Sequence, residues 1–135
     1  MSKTFWPTTH SLSLDRRVSG CHCQPRPYAG FGLALASSID LNADDVPEVL
    51  VGAPYQSVDE FHVQGEVFVY NGRDGRHLIT FDNPVPHQGS KFGYSLASPG
   101  DINHDGIPEF AMGTPGQHMM GEVNVGRVYL FFSKR

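Results

Sequence analysis

The feature that most constrains this chain is an internal repeat, because residues 31–55 return 61 positions later as residues 92–116. Of the 25 paired positions 12 are identical, and they include a Phe-Gly pair, several loop acids and a Gly-x-Pro turn. Residues of these kinds are set by backbone geometry more than by core filling. The sequence therefore predicts two copies of one structural unit.

Each copy contains short apolar segments with the length and composition of β-strands. The clearest are 66–70 and 127–132, which are rich in β-branched and aromatic residues. The predicted strands are residues 32–37, 49–52, 66–70 and 77–81 in the first copy, and 93–98, 110–113 and 127–132 in the second. No helical apolar pattern runs for three turns, so the predicted fold class is all-β.

Four short antiparallel strands with glycine-rich turns fit a β-propeller blade better than a sandwich. We predict an irregular N-terminal arm (1–29), a first blade (30–90) and a second blade (91–135) that lacks its fourth strand. A propeller closes with about four to eight blades, so two antiparallel blades form an incomplete one. The open faces could be covered by further blades of a longer chain, by self-association or by the arm, and a longer propeller is favoured.

An acidic loop separates the first two strands of each copy, at Asp40–Glu48 and Asp101–Glu109. Oxygen-bearing side chains occupy loop positions one, three, five and nine, and a carbonyl at position seven can join them. Such an all-oxygen shell suits calcium. The helical calcium motif would need Glu at position twelve, where Val51 and Met112 stand. An isolated Asp-rich turn is more often a solvated loop, but the duplication favours two calcium sites.

The order of Phe-Gly, the Asp-x-Asn-x-Asp loop and Gly52-Ala-Pro54 resembles the FG-GAP repeat, or integrin α N-terminal β-propeller, family over residues 30–132. The resemblance implies that each repeat is a blade, that seven blades usually close a ring and that each loop binds calcium. The ligands that it implies for the first site are Asp40, Asn42, Asp44, the Val46 carbonyl and Glu48. Those implied for the second are Asp101, Asn103, Asp105, the Ile107 carbonyl and Glu109.

The loops depart from the family pattern at two positions, and only the departure at position six distinguishes the two sites. Position six is usually glycine, which Gly106 keeps and Asp45 does not. A positive φ there would strain Asp45, although Asp tolerates the left-handed region better than most residues. The ninth ligand is usually Asp, and Glu48 and Glu109 are one methylene longer. Because only Gly106 keeps the usual residue at position six, the family pattern supports the second site better than the first.

Composition and the absence of certain motifs argue against a nucleic-acid-binding or membrane-spanning protein. The formal net charge of −4 and a pI near 5.9 argue against a nucleic-acid surface. No run of eighteen apolar residues predicts a membrane span, and no secretory signal is visible at the N-terminus. Cys21 and Cys23, with His10, could form half of a zinc site, but a second ligand pair is missing and unligated thiols are favoured.

Two classes of function remain open. The first is a calcium-stabilised adhesion or interaction scaffold, extracellular or at the cell surface, which binds a protein or glycan through the variable loops 55–64 and 116–125. The alternative is a non-catalytic propeller part of a secreted hydrolase or lyase, phospholipase-like or polysaccharide-degrading. No Gly-x-Ser-x-Gly elbow or metal-activating His pair is present, so the chain is not expected to be an enzyme. Phe31, Phe92, Tyr70 and Phe131 are predicted to pack between the blades.

Overall fold

The computed structural model describes residues 28–58, 61–118 and 120–132. The strands in these ranges are β1 (Ala34–Ile39), β2 (Glu48–Ala53), β3 (Glu66–Tyr70), β4 (His77–Asp82), β5 (Ser95–Gly100), β6 (Glu109–Thr114) and β7 (Arg127–Phe131). No helix occurs in the described ranges, and hence none there that could cross a membrane. The zinc candidates His10, Cys21 and Cys23 lie outside the described residues, as does most of the predicted N-terminal arm.

The strands form two antiparallel meanders, of order β1-β2-β3-β4 and β5-β6-β7. They share one register: Val51 pairs with Phe68 in the first sheet, and Met112 pairs with Tyr129 at the equivalent place in the second. The irregularity near the end of β1 recurs near the end of β5. The predicted all-β class, two blades of an incomplete propeller, is confirmed.

The first strand of each blade begins two residues later than predicted, at Ala34 and Ser95. The cause is the backbone of Gly32 and Gly93, whose φ angles of 93° and 85° are incompatible with a strand. Each glycine forms a turn instead, although its N–H still donates to the carbonyl of Gly52 or Gly113, at 3.0 and 3.1 Å. The Phe-Gly pair therefore precedes the strand and stands at its entrance.

The two blades share a hydrophobic core, here called the interblade core. Its fully buried members are Leu50, Val67 and Val69 from blade 1, and Phe92, Phe110 and Met112 from blade 2. Phe131 stacks on Phe110 at a centroid distance of 5.2 Å, and Phe81 of β4 completes the aromatic group. β1 also lies against β5. The prediction that Phe92 and Phe131 pack between the blades is confirmed.

The prediction for Phe31 and Tyr70 is wrong. Tyr70 belongs to a second cluster, here called the outer cluster, with Val51, Ala53 and Phe68. Phe31 packs edge-on against Phe68 and Tyr70, at centroid distances of 5.6 and 6.1 Å. Alternate residues of a strand point to opposite faces of its sheet. The face that carries these residues in blade 1 turns away from blade 2, whereas the same face of blade 2 turns toward blade 1.

The loop between β2 and β3, predicted to be a variable polar loop, is partly a structural connection. Gln56 and Gln64 are buried, and Val58 and Phe61 form an isolated β-bridge. Along the segment that leads into blade 2, the N–H groups of three residues donate to loop carbonyls at 2.9, 3.1 and 2.8 Å; the pairs are Gly89 with His62, Lys91 with Val63, and Phe92 with Gln64. The C-terminal half of this loop therefore joins the two blades.

Candidate metal centre

Each acidic loop connects the first two strands of its blade, so residues 40–47 join β1 to β2 and residues 101–108 join β5 to β6. The aspartate at position one closes the loop. In the first loop, the N–H groups of Asp44 and Asp45 donate to the two carboxylate oxygens of Asp40, at 3.1 and 2.9 Å. In the second, Asp105 and Gly106 donate to Asp101 in the same way, at 3.0 and 2.8 Å.

Positions three and five continue this turn. The N–H of Asp44 also reaches Asn42 Oδ1 at 3.1 Å, and the N–H of Val46 donates to Asp44 Oδ1 at 2.9 Å. The second loop repeats both bonds, from Asp105 to Asn103 at 3.1 Å and from Ile107 to Asp105 at 2.8 Å. Position seven thus contributes its N–H to the loop. The ligation by its carbonyl stays a prediction, as does ligation by the asparagine oxygens.

The glutamate at position nine is the most unusual group of each loop. Glu48 and Glu109 begin β2 and β6, and both are fully buried. The Oε2 atom of Glu48 accepts the N–H of Leu41, and that of Glu109 accepts the N–H of Ile102 at 2.8 Å. The Oε1 atom of each is buried without a hydrogen-bond partner among the described residues. Such an oxygen is costly unless a cation or a donor meets it.

The predicted carboxylates converge in both loops. One oxygen each from Asp40, Asp44 and Glu48 lie within 4.8 Å of one another, and the same holds for the set Asp101, Asp105 and Glu109. Burial, followed by the charges of Asp40 and Asp44, raises the pKa of Glu48 above its ordinary value, while the N–H of Leu41 opposes the rise. Burial and the two neighbouring aspartates therefore disfavour the charged form of Glu48 in the first cluster.

The donor set fits a hard divalent cation. Calcium takes about six to eight oxygen ligands and tolerates irregular geometry. Each loop offers three convergent carboxylates, one of them with a buried oxygen that has no described hydrogen-bond partner. The set contains no nitrogen or sulfur, which zinc sites commonly use.

The two loops differ at position six and in their neighbours. Asp45 has a φ of 66° and Gly106 a φ of 88°, so the expected positive φ is present in both. Position four, where Ala43 and His104 each have a φ of 61°, also takes the left-handed region, which sequence reasoning missed. Arg73 pairs with Asp44 at 3.4 Å and donates to its carbonyl oxygen at 2.8 Å. No described residue forms an ion pair with the second loop.

Sequence reasoning also missed the serine that fixes each glutamate. Ser37 Oγ donates to the Glu48 carbonyl oxygen at 3.0 Å, and Ser98 Oγ donates to that of Glu109 at 3.1 Å. Both serines belong to the duplicated Leu-Ala-Ser segment, so the repeat itself carried the signal. Arg73 lies 29 residues from its partner and had no such signal.

Two antiparallel blades in one register, each with an acidic loop between its first two strands, define a β-propeller repeat protein. The FG-GAP repeat model matches residues 31–70 and 92–131, which are the two blades from the Phe-Gly turn to the third strand. The chain belongs to the FG-GAP repeat family.

Its relatives include integrin alpha chains. The chain is 37% identical to integrin alpha-3 of Mus musculus over 108 residues, 78% of this chain and 9% of the relative. It is 41% identical to integrin alpha-7 of Homo sapiens over 91 residues, 67% of this chain and 8% of the relative. With integrin alpha-6 of Homo sapiens the identity is 31% over 127 residues, 87% of this chain and 10% of the relative. The chain thus spans about a tenth of the length of these curated relatives.

Proposed function

We propose that this chain is a calcium-binding part of an adhesion or interaction propeller, in which the ions are structural. The observation that carries the proposal is the pair of buried glutamates whose Oε1 atoms have no described hydrogen-bond partner, each beside two convergent aspartates. A divalent cation at this place would satisfy that oxygen and offset two of the three negative charges. The same arrangement in both loops favours a selected site over a chance cluster of acids.

A structural role follows from the position of each cluster. The aspartate at position one lies just after the first strand of its blade, whereas the glutamate at position nine begins the second strand. A cation held by both would join the ends of two neighbouring strands. The metal would therefore stabilise the blade, and the first site would be held by Asp40, Asp44 and Glu48, with Asn42 and the Val46 carbonyl as further ligands. The second would be held by Asp101, Asp105 and Glu109, with Asn103 and the Ile107 carbonyl.

Partner binding is assigned to the exposed loops. Met120 is 98% exposed and Val123 67% exposed, so loop 116–125 presents apolar side chains that no described neighbour covers. Loop 55–64 offers less free surface, because its C-terminal half joins the blades. We assign a protein or glycan ligand chiefly to loop 116–125. By analogy with the integrin alpha relatives we place the protein at the cell surface or outside the cell, in a non-enzymatic role.

Thermal unfolding with and without calcium tests the metal assignment. A ligand that binds only the native state adds RT ln(1 + [L]/Kd) to its stability. For a Kd of about 10⁻⁴ to 10⁻³ M and calcium at about 10 mM, each site contributes about 1.4 to 2.7 kcal/mol. Glu109→Gln, which keeps the shape of the side chain, should lose about half of the calcium-induced rise in Tm.

The matched control is Asp74→Asn, in an exposed turn outside both loops. This variant should keep the whole calcium-induced rise in Tm. Isothermal titration should count two sites in the wild type and one in Glu109→Gln. The proposal fails if calcium leaves the wild-type Tm unchanged, or if the rise is as large in a Glu48→Gln, Glu109→Gln double variant.

The binding role is tested separately. Arrays of extracellular-matrix proteins and glycans should show a ligand whose binding is weakened by Met120→Ala, while the calcium response of the variant stays normal. Polysaccharide and phospholipid probes on the same arrays test the alternative of a hydrolase- or lyase-associated propeller. Binding confined to those substrates would overturn the adhesion assignment without affecting the metal assignment.

A further inference from the structure

The turn between β3 and β4, residues 71–76, lies against the first acidic loop. A β-carbon on Gly72 would lie 2.0 Å from the carbonyl oxygen of Pro47 and 3.2 Å from Val46 Cγ1. A β-carbon cannot come this close to a backbone oxygen, so only glycine lets the turn approach the loop to this extent. The contact fixes the β3–β4 turn beside the first candidate metal site.

Hydrogen bonds also fix the shape of the β3–β4 turn. The Oδ1 atom of the buried Asn71 accepts the N–H of Arg73 at 2.7 Å. The N–H of Asn71 donates to the Arg76 carbonyl oxygen, and its own carbonyl oxygen accepts the N–H of Gly75, both at 2.8 Å. The backbone of Arg73 is therefore held in place, and only its side chain is left to be ordered by a contact.

The side chain of Arg73 reaches position five of the loop. Its Nε atom donates to Asp44 Oδ2 at 3.4 Å, and its Nη2 atom donates to the Asp44 carbonyl oxygen at 2.8 Å. The Arg73 side chain is 60% exposed and that of Asp44 is 25% exposed. An exposed ion pair of this kind contributes little to the stability of a fold. The larger consequence of the pair is the positive charge that it adds to the cluster.

Asp44 belongs to the carboxylate cluster as well as to this ion pair. One of its oxygens converges with oxygens of Asp40 and Glu48. The buried Oε1 atom of Glu48 has no hydrogen-bond partner among the described residues, and its place in the cluster suits a cation. A divalent ion held there would share Asp44 with the guanidinium of Arg73. A positive charge already bound to one of the ligands weakens the attraction of the cluster for that ion.

We propose that Arg73 is an internal counter-cation of the first metal site, which lowers the affinity of this site for calcium and stabilises its carboxylates while the ion is absent. This inference rests on the proposed calcium binding and concerns the regulation of that site. The interaction between the two cations acts in both directions, so calcium should weaken the contact between Arg73 and Asp44. The inference is limited to the first site, because the equivalent of Arg73 in the repeat is Lys134, which lies outside the described residues.

Calcium titration of the whole chain with Glu109→Gln, here called the parent, measures the first site alone. Adding Arg73→Gln to the parent should tighten calcium binding by about three- to tenfold at low ionic strength, because a unit charge beside a divalent ion is removed. The gain should shrink in about 0.5 M sodium chloride, which screens exposed charges. Arg73→Lys keeps the charge and should leave the affinity close to that of the parent.

The matched control is Arg76→Gln, which removes the same charge from the same turn. The side chain of Arg76 forms no hydrogen bond or ion pair within the part of the chain that the structure describes. Its exposed charge is screened by solvent and salt, so the control should change calcium affinity by no more than about twofold. Circular dichroism verifies that each variant folds.

Two further measurements separate this role from a purely structural one. In chelator, Arg73→Gln should have a lower Tm than the parent, because the carboxylates lose their counter-charge, and saturating calcium should narrow that gap. A residue that only holds the turn would lower both Tm values equally. In nitrogen-15 spectra of the parent, the Nε–H signal of Arg73 should shift toward that of a free arginine as calcium is added, whereas that of Arg76 should not.

The outcomes distinguish this inference from the calcium assignment on which it rests. Calcium binding by the parent that Arg73→Gln leaves unchanged at low salt would overturn the role of Arg73 and keep the metal site. Weaker binding by Arg73→Gln would also overturn it, because Arg73 would then support the loop in its ion-binding shape. If neither the wild type nor the parent binds calcium, both the inference and the proposed function are overturned.

Discussion

The two blades have the same register and largely the same residue pattern, but equivalent positions lie in opposite surroundings. Val67 is fully buried, whereas Val128 is 69% exposed. Gly52 and Gly65 lie against the backbone of Phe92 and Gly93, whereas Gly113 and Gly126 border an open groove. A repeated pattern therefore sets which face of a strand is apolar, but the neighbouring blade decides whether that face becomes core.

The two acidic loops show a different relation, because the geometry of their carboxylates matches while position six and the neighbouring charge differ. Both clusters hold three convergent carboxylates and one buried glutamate oxygen without a described partner. Only the first loop carries aspartate at position six and an arginine beside position five. The comparison separates what the fold imposes, which is the turn, from what sequence adjusts, which is its strain and charge.

The largest expected difference between the blades is at the phenylalanine of each Phe-Gly pair. Phe92 is fully buried in the interblade core, and Phe31 is half-buried at the edge of the outer cluster. Phe92→Ala should lower the free energy of unfolding by about 3–5 kcal/mol, the usual cost of emptying a core position of that size. Urea unfolding measures the loss, and Phe31→Ala should cost clearly less. Equal losses would show that the two faces are equally important for stability.

The next largest difference in stability is expected between Gly65 of blade 1, which lies against blade 2, and its equivalent Gly126 of blade 2, which contacts no other blade among the described residues. Gly65 and Gly126 both have a positive φ, so alanine is strained by about 1–2 kcal/mol at either position. Only Gly65→Ala also meets backbone atoms of Phe92, and crowding of this kind adds about 1–3 kcal/mol. Subtracting the two losses in urea unfolding isolates the blade contact from backbone strain. A difference near zero would mean that the blades separate without cost.

Much of the fold could be predicted from the sequence because the repeat aligned equivalent turns, acids and strands. Glu66–Tyr70 was predicted to the residue, since its β-branched and aromatic composition leaves little choice. The six carboxylates that converge were also predicted, because loop spacing alone brings them together. The sequence did not predict that Phe31 and Tyr70 point away from the second blade, because this depends on which face of the first sheet packs against that blade. The contact of Arg73 was not predicted either, because its partner is distant in sequence.

Exchanging position six between the acidic loops tests the ranking of the two metal sites. Asp45→Gly should relieve left-handed strain and raise stability by up to about 1 kcal/mol, whereas Gly106→Asp should lower it by a similar amount. If strain also weakens ion binding, titration should show tighter calcium binding at the first site of Asp45→Gly. Two sites of unchanged and equal affinity would remove position six as the reason for ranking them.

The smallest expected effect concerns the protonation of Glu48 in calcium-free buffer. Its pKa is raised in the folded protein above the ordinary value of 4.5, chiefly by burial. Below that value both states carry the proton, but as the pH rises through it the unfolded state releases the proton first. Folding stability therefore falls between the ordinary pKa and the raised one, and the loss levels off above it.

Glu48→Gln has no ionisable proton at this position, and its amide N–H₂ can donate to the neighbouring aspartates. The Tm of the wild type in chelator, taken relative to that of Glu48→Gln, should decline as the pH is raised from about 4 to about 7. A difference that grows in the opposite direction would mean that the buried carboxylate is stabilised by a partner in the folded protein and that the first loop does not need a cation to hold its third charge.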